Sequence, residues 1–237
     1  MPLKHKIKSN KGIRLAVFDC DGTIADSQHL IVTCMHAAFE AYQLPKPKRD
    51  DVRRVIGLPL QEAIAYLVSD TEGQDTVGIS KKYGHAWNLL REKGELEEPL
   101  FPGFLETINI LQKNNWLLGI ATGKSLRGLN GTLEKHDILD HFVTIQTADK
   151  GPGKPHPDML LNGMEETGVT TASTVMIGDT TFDMEMAVNA GVMGIGVSWG
   201  YHTVEELRSA GATHVIYSFE QLTSLLIGLK AGLRNFK

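Results

Sequence analysis

The most constraining feature of this chain is a short apolar run that ends in two acidic residues. Leu15 to Phe18 is apolar and partly β-branched, and Asp19, Asp21 and Gly22 follow it, which predicts a buried strand that runs into a polar loop. In open parallel α/β sheets, ligands bind beside the carboxyl ends of the strands. In an extended segment, Asp19 and Asp21 would point to one side, and a bound cation would relieve their repulsion. The alternative is a plain turn, since Asp and Gly are ordinary turn residues.

The rest of the chain divides into a helical part and an alternating part. Between residues 27 and 99, apolar residues recur at helical spacing, Ser27 can cap the first helix, and no strand pattern occurs. From residue 100 onwards, strand and helix patterns alternate through five further strands, which predicts βαβ units and a mostly parallel sheet. We therefore expect an α/β core domain, residues 1–26 and 100–237, with an all-helical cap domain, residues 27–99, inserted after the first strand.

Two further loops at predicted strand ends carry candidate phosphate ligands. Thr122 and Gly123 lie between a strand and a helix, where a hydroxyl and backbone amides can donate hydrogen bonds to a phosphate. The same loop could equally serve only as a helix cap. Lys154 lies in the segment Gly-Pro-Gly-Lys-Pro-His-Pro, whose prolines fix the backbone around a long flexible amine. An ordinary surface lysine needs no such restraint.

A fourth predicted strand end carries two more acids. Asp179 follows the apolar run from Val175 to Ile177, and Asp183 lies four residues further on, at a predicted helix start. Asp179 is placed to add an oxygen ligand for a hard cation, and Mg2+ commonly takes only a few carboxylates plus water. Asp183 could instead be an acid that only interacts with the helix dipole.

Together these segments resemble the four motifs of the haloacid dehalogenase superfamily, most of whose members are phosphatases. Phe-Asp-x-Asp-Gly-Thr, a Thr after the second core strand, Gly-Lys-Pro-x-Pro and Gly-Asp-x-x-x-Asp occur in the family's order from Phe18 to Asp183. The helical insertion resembles the subfamily IA with a C1 cap, and the overall pattern resembles phosphoglycolate phosphatases. The resemblance implies a Rossmann-like, doubly wound core and a Mg2+-dependent phosphatase that acts on a small-molecule phosphomonoester.

The resemblance also implies a role for each motif residue. Asp19 would be the nucleophile that forms an aspartyl phosphate, and Asp21 the general acid and base. Asp19, the main-chain carbonyl of Asp21, and Asp179 would hold the metal, with Asp183 supporting the lysine and the metal's waters. Thr122 and Lys154 would also take part in catalysis. The residues expected to bind the phosphate are Gly22, Thr23, Thr122, Gly123 and Lys154.

The helical insertion contains the candidate substrate contacts outside the motifs. These are Arg53, Arg54 and the turn at Gly57, because an arginine can bind a substrate carboxylate with two hydrogen bonds. Both arginines could instead lie on a solvated helix face. Closure of the cap over the site is expected to set the substrate choice.

The motifs leave other functions open. A phosphomutase similar to β-phosphoglucomutase would use the same two aspartates, Asp19 and Asp21, but return the phosphoryl group to a sugar. Pyrophosphatases and nucleotidases of the same family would share the core motifs. A non-catalytic module that binds a phosphorylated ligand would have to keep all four motifs without turnover.

Composition restricts the partners and the compartment. A net charge of −4 argues against a dedicated nucleic-acid-binding domain, and no apolar run is long enough to predict a membrane span. The only two cysteines, Cys20 and Cys34, exclude a disulfide framework and fit a reducing compartment. No apolar segment follows the basic N-terminal residues, so no secretory signal is predicted. We therefore expect a cytoplasmic monomer or homodimer without nucleic-acid or membrane partners.

Overall fold

The computed structural model describes residues 12–69 and 73–229, and the basic N-terminal residues considered above lie outside these ranges. Within the described residues, a parallel sheet of six strands has the order β3-β2-β1-β4-β5-β6. The strands are β1 (Arg14–Phe18), β2 (Trp116–Thr122), β3 (Phe142–Thr147), β4 (Thr174–Gly178), β5 (Met193–Val197) and β6 (His214–Ile216). Because β1 pairs with both β2 and β4, the loop after β1 lies between the loops after those two strands.

Helices cover both faces of the sheet. Ala16 and Phe18 pack into one apolar cluster, and Leu15 and Val17 pack into another on the opposite face. From Leu15 to Phe18, β1 is therefore apolar on both faces, as expected for a strand buried on both sides. The surrounding helices are α5 (Phe104–Lys113), α6 (Leu126–Lys135), α7 (Asp158–Thr167), α8 (Thr181–Ala190), α9 (Val204–Ser209) and α10 (Phe219–Gly228). This arrangement confirms the predicted α/β fold class.

Between β1 and α5, the described residues 27–69 and 73–99 contain four helices. They are α1 (Gln28–Ala41), α2 (Arg49–Val55), α3 (Leu60–Leu67) and α4 (Thr76–Glu92). Their apolar side chains, among them Met35, Ile64 and Trp87, form a cluster of their own, onto which Tyr201 packs from the loop after β5. Residues 27–69 and 73–99 contain no strand. None of the described helices combines the length and apolar composition that a membrane span requires.

The two chain segments that connect these helices to the sheet lie side by side. The Asp26 amide donates to the Pro99 carbonyl at 2.9 Å, and the Phe101 amide donates to the Ile24 carbonyl at 3.0 Å. The helical segment thus joins the sheet at one narrow, hydrogen-bonded connection. We refer to this connection below as the hinge.

Ser27 precedes α1, but its side chain does not cap that helix. Its hydroxyl donates instead to Asp21 Oδ1 at 2.5 Å. The Ser27 backbone angles, φ −105° and ψ 2°, also lie outside the extended region in which a side chain can reach the first amides of a helix. The predicted role of Ser27 as a helix cap is therefore wrong.

The aromatic rings that pack around Phe18 of β1 lead to a stability prediction. Phe104 is fully buried, and its ring centroid lies 5.8 Å from that of Phe18 and 5.3 Å from that of Phe219. Phe104→Ala would leave a cavity among these rings, so we expect the free energy of unfolding to fall by about 3–5 kcal/mol. Urea unfolding followed by circular dichroism measures this change.

The neighbouring Leu105 provides a matched control, because its side chain is 43% exposed. We expect Leu105→Ala to change the free energy of unfolding by less than about 0.5 kcal/mol. Equal losses in the two variants would contradict the packing described here.

Candidate active site

Four charged side chains predicted from the sequence meet at the carboxyl edge of the sheet. Lys154 Nζ lies 2.8 Å from Asp19 Oδ1 and 2.6 Å from Asp183 Oδ1. Asp19, Asp179 and Asp183 each offer a carboxylate oxygen, and these three oxygens lie within 4.8 Å of one another. All four side chains are buried. Because a charge is costly to bury without a partner, these residues depend on each other.

Burial and neighbouring charges determine the protonation of this group. Burial raises the pKa of Asp19 to about 7, although Lys154 opposes the shift. Burial also raises the pKa of Asp179 well above its usual value, and the charges of Asp19 and Asp183 raise it further. For Lys154, burial alone would lower the pKa, but Asp183 and Asp19 raise it above its usual value. Lys154 therefore stays charged, while the acids repel one another.

The donor set fits a hard divalent cation. Three buried aspartates lie close together, and one lysine pairs with two of them. The group therefore keeps excess negative charge, and carboxylate oxygens are the ligands that Mg2+ prefers. Asp19 Oδ2 is buried and has no hydrogen-bond partner among the described residues. An unpartnered buried oxygen of this kind is what a cation would satisfy.

Asp183 is held on both oxygens by protein groups. Its Oδ1 pairs with Lys154, and its Oδ2 accepts hydrogen bonds from the Thr180 amide at 3.0 Å and the Thr180 hydroxyl at 2.7 Å. Thr180 and Asp183 form a capping box at the start of α8. Asp183 is thus both a helix-terminal acid and a partner of the lysine, which combines the two alternatives left open by the sequence.

Gly22 and Thr23 position Asp179 and the loop after β1. The Thr23 hydroxyl donates to Asp179 Oδ1 at 2.7 Å, and the Tyr201 amide donates to Asp179 Oδ2 at 2.9 Å. Gly22 has φ +84°, and a Cβ there would lie 2.4 Å from Asp179 Oδ2. The amides of Gly22 and Thr23 donate to the carbonyls of Ala25 and Cys20. These contacts do not support the predicted phosphate binding by Gly22 and Thr23, because their donors are already used within the protein.

The Asp21 carboxylate lies apart from the other acids and is held by its own partners. Its Oδ1 accepts hydrogen bonds from the Ser27 hydroxyl and from Lys124 Nζ, the latter at 2.8 Å. Lys124 Nζ also lies 2.6 Å from Glu98 Oε1 and 4.9 Å from the ring centroid of Trp87. Glu98, only 2% exposed, lies just before the hinge. Asp21 is thereby connected to the hinge through Lys124.

Lys124 stays charged in this position. Burial would lower the pKa of its ammonium group, but the neighbouring acids, Asp21 foremost, raise it well above its usual value. The sequence patterns described above single out neither Lys124 nor Glu98. The two residues are far apart in sequence, and neither lies in a pattern that indicates a contact, so sequence reasoning had no signal for this pair.

Thr122 and Gly123 lie beside this pair, at the end of β2. The buried Thr122 hydroxyl accepts a hydrogen bond from the Lys124 amide at 3.2 Å, and its own hydrogen has no acceptor among the described residues. A Cβ on Gly123 would lie 2.5 Å from the Gly57 carbonyl oxygen, so glycine allows the helical segment to approach this loop. Ser125 caps α6 by accepting from the Gly128 amide. The loop therefore caps a helix and also leaves one hydroxyl donor free.

A cavity of about 610 Å³ lies between the helical segment and the sheet edge, and Asp19, Asp21 and Gly57 line it. Arg53 and Arg54 are not among its lining residues. Arg54 is 67% exposed and pairs with Glu206, and Arg53 donates to the Tyr201 carbonyl. The structure therefore does not support the predicted substrate contact by either arginine. The cavity is lined instead by Arg91 and Arg127, which the sequence analysis missed.

Comparison with known proteins identifies relatives over most of the chain. A protein-family model described as haloacid dehalogenase-like hydrolase matches residues 16–197. The "Probable phosphatase IndB" of Dickeya dadantii is 32% identical over 211 residues, which cover 88% of this chain and 91% of the relative. The pyrophosphatase PpaX of Bacillus velezensis is 27% identical, covering 92% of this chain and 97% of the relative. A phosphoglycolate phosphatase of Nitrosococcus oceani is 26% identical, with coverages of 90% and 96%.

Solved structures agree with these relationships. The crystal structure of a hydrolase from Pseudomonas syringae superposes with a TM-score of 0.79 at 26% identity, covering 90% of this chain and 97% of the other. The similarity thus includes both the sheet and the inserted helices. Given the family match and a relative above 30% identity, this chain belongs to the haloacid dehalogenase-like hydrolase family and is a phosphatase.

Proposed function

We propose that this phosphatase hydrolyses a small-molecule phosphomonoester through an aspartyl-phosphate intermediate and requires Mg2+. The observation that carries the proposal is the buried Asp19–Lys154 ion pair at the end of β1, beside a cavity that Asp19 lines. A carboxylate fixed on one oxygen, with the other unpartnered, suits a nucleophile.

The proposed reaction has two steps that use the same residues. In the first, an oxygen of Asp19 attacks phosphorus, the bond from phosphorus to the leaving oxygen breaks, and Asp21 gives that oxygen a proton. In the second, Asp21 accepts a proton from the water that attacks the aspartyl phosphate and releases inorganic phosphate. Ser27 and Lys124 both contact Asp21 Oδ1, which leaves Oδ2 for the proton transfers.

The remaining residues stabilise the phosphoryl group and the metal. Lys154 and the free hydroxyl hydrogen of Thr122 supply donors for phosphoryl oxygens. Asp19, the main-chain carbonyl of Asp21, and Asp179 would hold Mg2+, with Asp183 in support. When bound, the ion would neutralise charge on the phosphate and the nucleophile.

We propose that residues 27–99 act as a cap domain over the core formed by residues 1–26 and 100–237. Their separate apolar cluster, the narrow hinge and the cavity between the two parts support this division. Relatives named as a pyrophosphatase and a phosphoglycolate phosphatase match at nearly equal identity, so the activity assay below identifies the substrate. The two buried cysteines, which form no disulfide, fit a reducing compartment such as the cytoplasm.

The first of three predictions from this proposal concerns the nucleophile. Asp19→Asn removes the attacking carboxylate, so we expect phosphate release to fall by about a thousandfold or more while the fold is kept. The measurement is phosphate release from a panel of phosphomonoesters, including 2-phosphoglycolate, with Mg2+ or with a chelator. The exposed Asp140 provides the control, and Asp140→Asn should retain full activity.

Appreciable turnover by Asp19→Asn would refute the nucleophile assignment. If the natural sequence isomerised a sugar phosphate and released no inorganic phosphate, the result would indicate a phosphomutase instead. Metal-independent release would contradict the proposed need for Mg2+.

The second prediction concerns the metal. A cation that binds only the folded protein raises its stability, by about 2.7 kcal/mol at a hundredfold excess over Kd, so Mg2+ should raise the Tm by several degrees. Asp179→Asn removes one negative ligand, and we expect it to lose most of this increase. Differential scanning calorimetry at several Mg2+ concentrations measures both proteins. An equal increase in Asp179→Asn and in the natural sequence would contradict the proposed metal site.

The third prediction concerns Lys124, which we propose as a positioning residue for Asp21. Lys124→Met removes the ammonium group that holds Asp21 Oδ1, and a small displacement of a reacting group can cost about a hundredfold in rate. We expect kcat to fall by about tenfold to a hundredfold, and Lys124→Arg to recover part of the loss. Steady-state kinetics measures kcat and KM separately. Lys113→Met, on the exposed side of α5, is the control, and an unchanged kcat in Lys124→Met would refute this role.

A further inference from the structure

The cavity is lined by two kinds of cation. Lys124 lines the cavity and is paired with two carboxylates. Lys154 is fully buried, is not a lining residue and pairs with Asp19 and Asp183. Arg91 and Arg127 also line the cavity. Neither guanidinium forms an ion pair or a side-chain hydrogen bond within residues 12–69 and 73–229. Both arginines also line a second, surface hollow, so they lie where the cavity meets that hollow.

The two guanidinium groups come from opposite sides of the cavity. Arg91 lies in the last turn of α4, and Arg127 lies in the first turn of α6. Arg91 reaches across to α6, since a Cβ built on Gly131 would lie 2.7 Å from Arg91 Nη2. Gly131 and Arg127 are four residues apart and share one face of α6. The cap and the core therefore each bring one guanidinium to the same helix face.

The nearby acids do not neutralise these arginines. Glu134 and Asp149 line the same hollow, but neither forms an ion pair with Arg91 or Arg127 in the part of the chain that the structure describes. Asp149 Oδ2 accepts instead from the Leu126 amide at 2.7 Å. Two neighbouring cations without a counter-charge repel. A carboxylate or phosphate between them would relieve the repulsion, and the planar guanidinium matches both groups with paired hydrogen bonds.

One face of α4 connects this pair to the catalytic residues. The α4 residues that line the cavity recur at intervals of three and four positions, as expected for one side of a helix. They are Ser80, Tyr83, Gly84, Trp87, Asn88 and Arg91. Trp87 lies against Lys124, which holds Asp21. A cavity of about 610 Å³ also holds ligands much larger than a two-carbon acid. A long leaving group can therefore extend beside α4 from Asp21 to Arg91.

We propose that Arg91 and Arg127 form a subsite for a second anionic group of the substrate. The substrate class is then a phosphate ester whose leaving group carries a carboxylate or a second phosphate at its far end. This inference rests on the proposed function, which places the reacting phosphate at Asp19. It assigns anion recognition to this pair instead of Arg53 and Arg54.

The test uses binding, so that it does not depend on turnover. The probes are three series of increasing chain length: alkylphosphonates, ω-phosphonocarboxylates and alkylenebisphosphonates, titrated calorimetrically into the Mg2+-loaded protein. We expect the longer probes with two anionic groups to bind at least about tenfold more tightly than alkylphosphonates of equal length. The ω-phosphonocarboxylates and the alkylenebisphosphonates each carry two anionic groups. Whichever of these two series binds more tightly identifies the second group of the substrate as a carboxylate or a phosphate.

Variants assign the effect to the arginines. Arg91→Gln and Arg127→Gln should each remove most of the preference for a second anion while leaving alkylphosphonate affinity nearly unchanged. Arg91→Lys should keep part of the preference, because lysine retains the charge but not the paired donors. Arg208→Gln, an exposed position on α9, is the control and should keep the full preference.

Two results would overturn the subsite. One is equal affinity of the natural sequence for all three series, or no binding of any of them. The other is an equal loss of affinity for all three series in Arg91→Gln. Phosphate release is measured separately: normal release with no anion preference would refute the subsite alone, and absence of release from every ester would refute the proposed function.

Discussion

The buried pairing of Lys154 with Asp19 and Asp183 is the interaction on which the rest of the site depends. Removing these charges from water is costly, and only their close approach offsets that cost. The approach requires β1 to lie in the middle of the sheet, so that the ends of β1 and β4 are adjacent. This one lysine is nevertheless outnumbered by a cluster of three buried aspartates, so the site is organised to receive further positive charge.

A second network of charges surrounds Asp21 and has a different function. Lys154, Asp19 and Asp183 all lie in loops or helices next to the sheet. Lys124, by contrast, connects the loop after β2 to Glu98 near the hinge and to Trp87 of α4. The orientation of Asp21 therefore depends on the position of the helical segment. Asp21, the proposed proton-transfer residue, is thus linked to the cavity wall through Lys124 and Trp87, while Asp19, the proposed nucleophile, is fixed by Lys154.

The sheet and the acids at its edge could be predicted from the sequence, because the patterns that indicate them are local. The apolar run in β1 and the acids after β1 and β4 each occupy a few consecutive residues, and parallel strands bring their ends to one edge. The start of α8 was predicted two residues late, because Thr180 and not Asp183 is its cap. A sequence shows a hydroxyl, but not which carboxylate lies nearest to it. For that reason the predicted cap role of Ser27 is wrong, and the contact of Thr23 with Asp179 has no signal in the sequence. Arg91 was missed because its neighbour, α6, is distant in the chain.

The central position of β1 also affects how the chain assembles. Among the described strands β1 is synthesised before the others, and its partners β2 and β4 follow only after the helical segment and, for β4, after β3 and α7 as well. Such distant pairings have a high entropic cost before they form, and they slow folding. The helical segment, which has its own apolar cluster, can fold while β1 still lacks neighbours. During that interval an apolar strand remains unpaired, and an unpaired apolar strand is prone to aggregate.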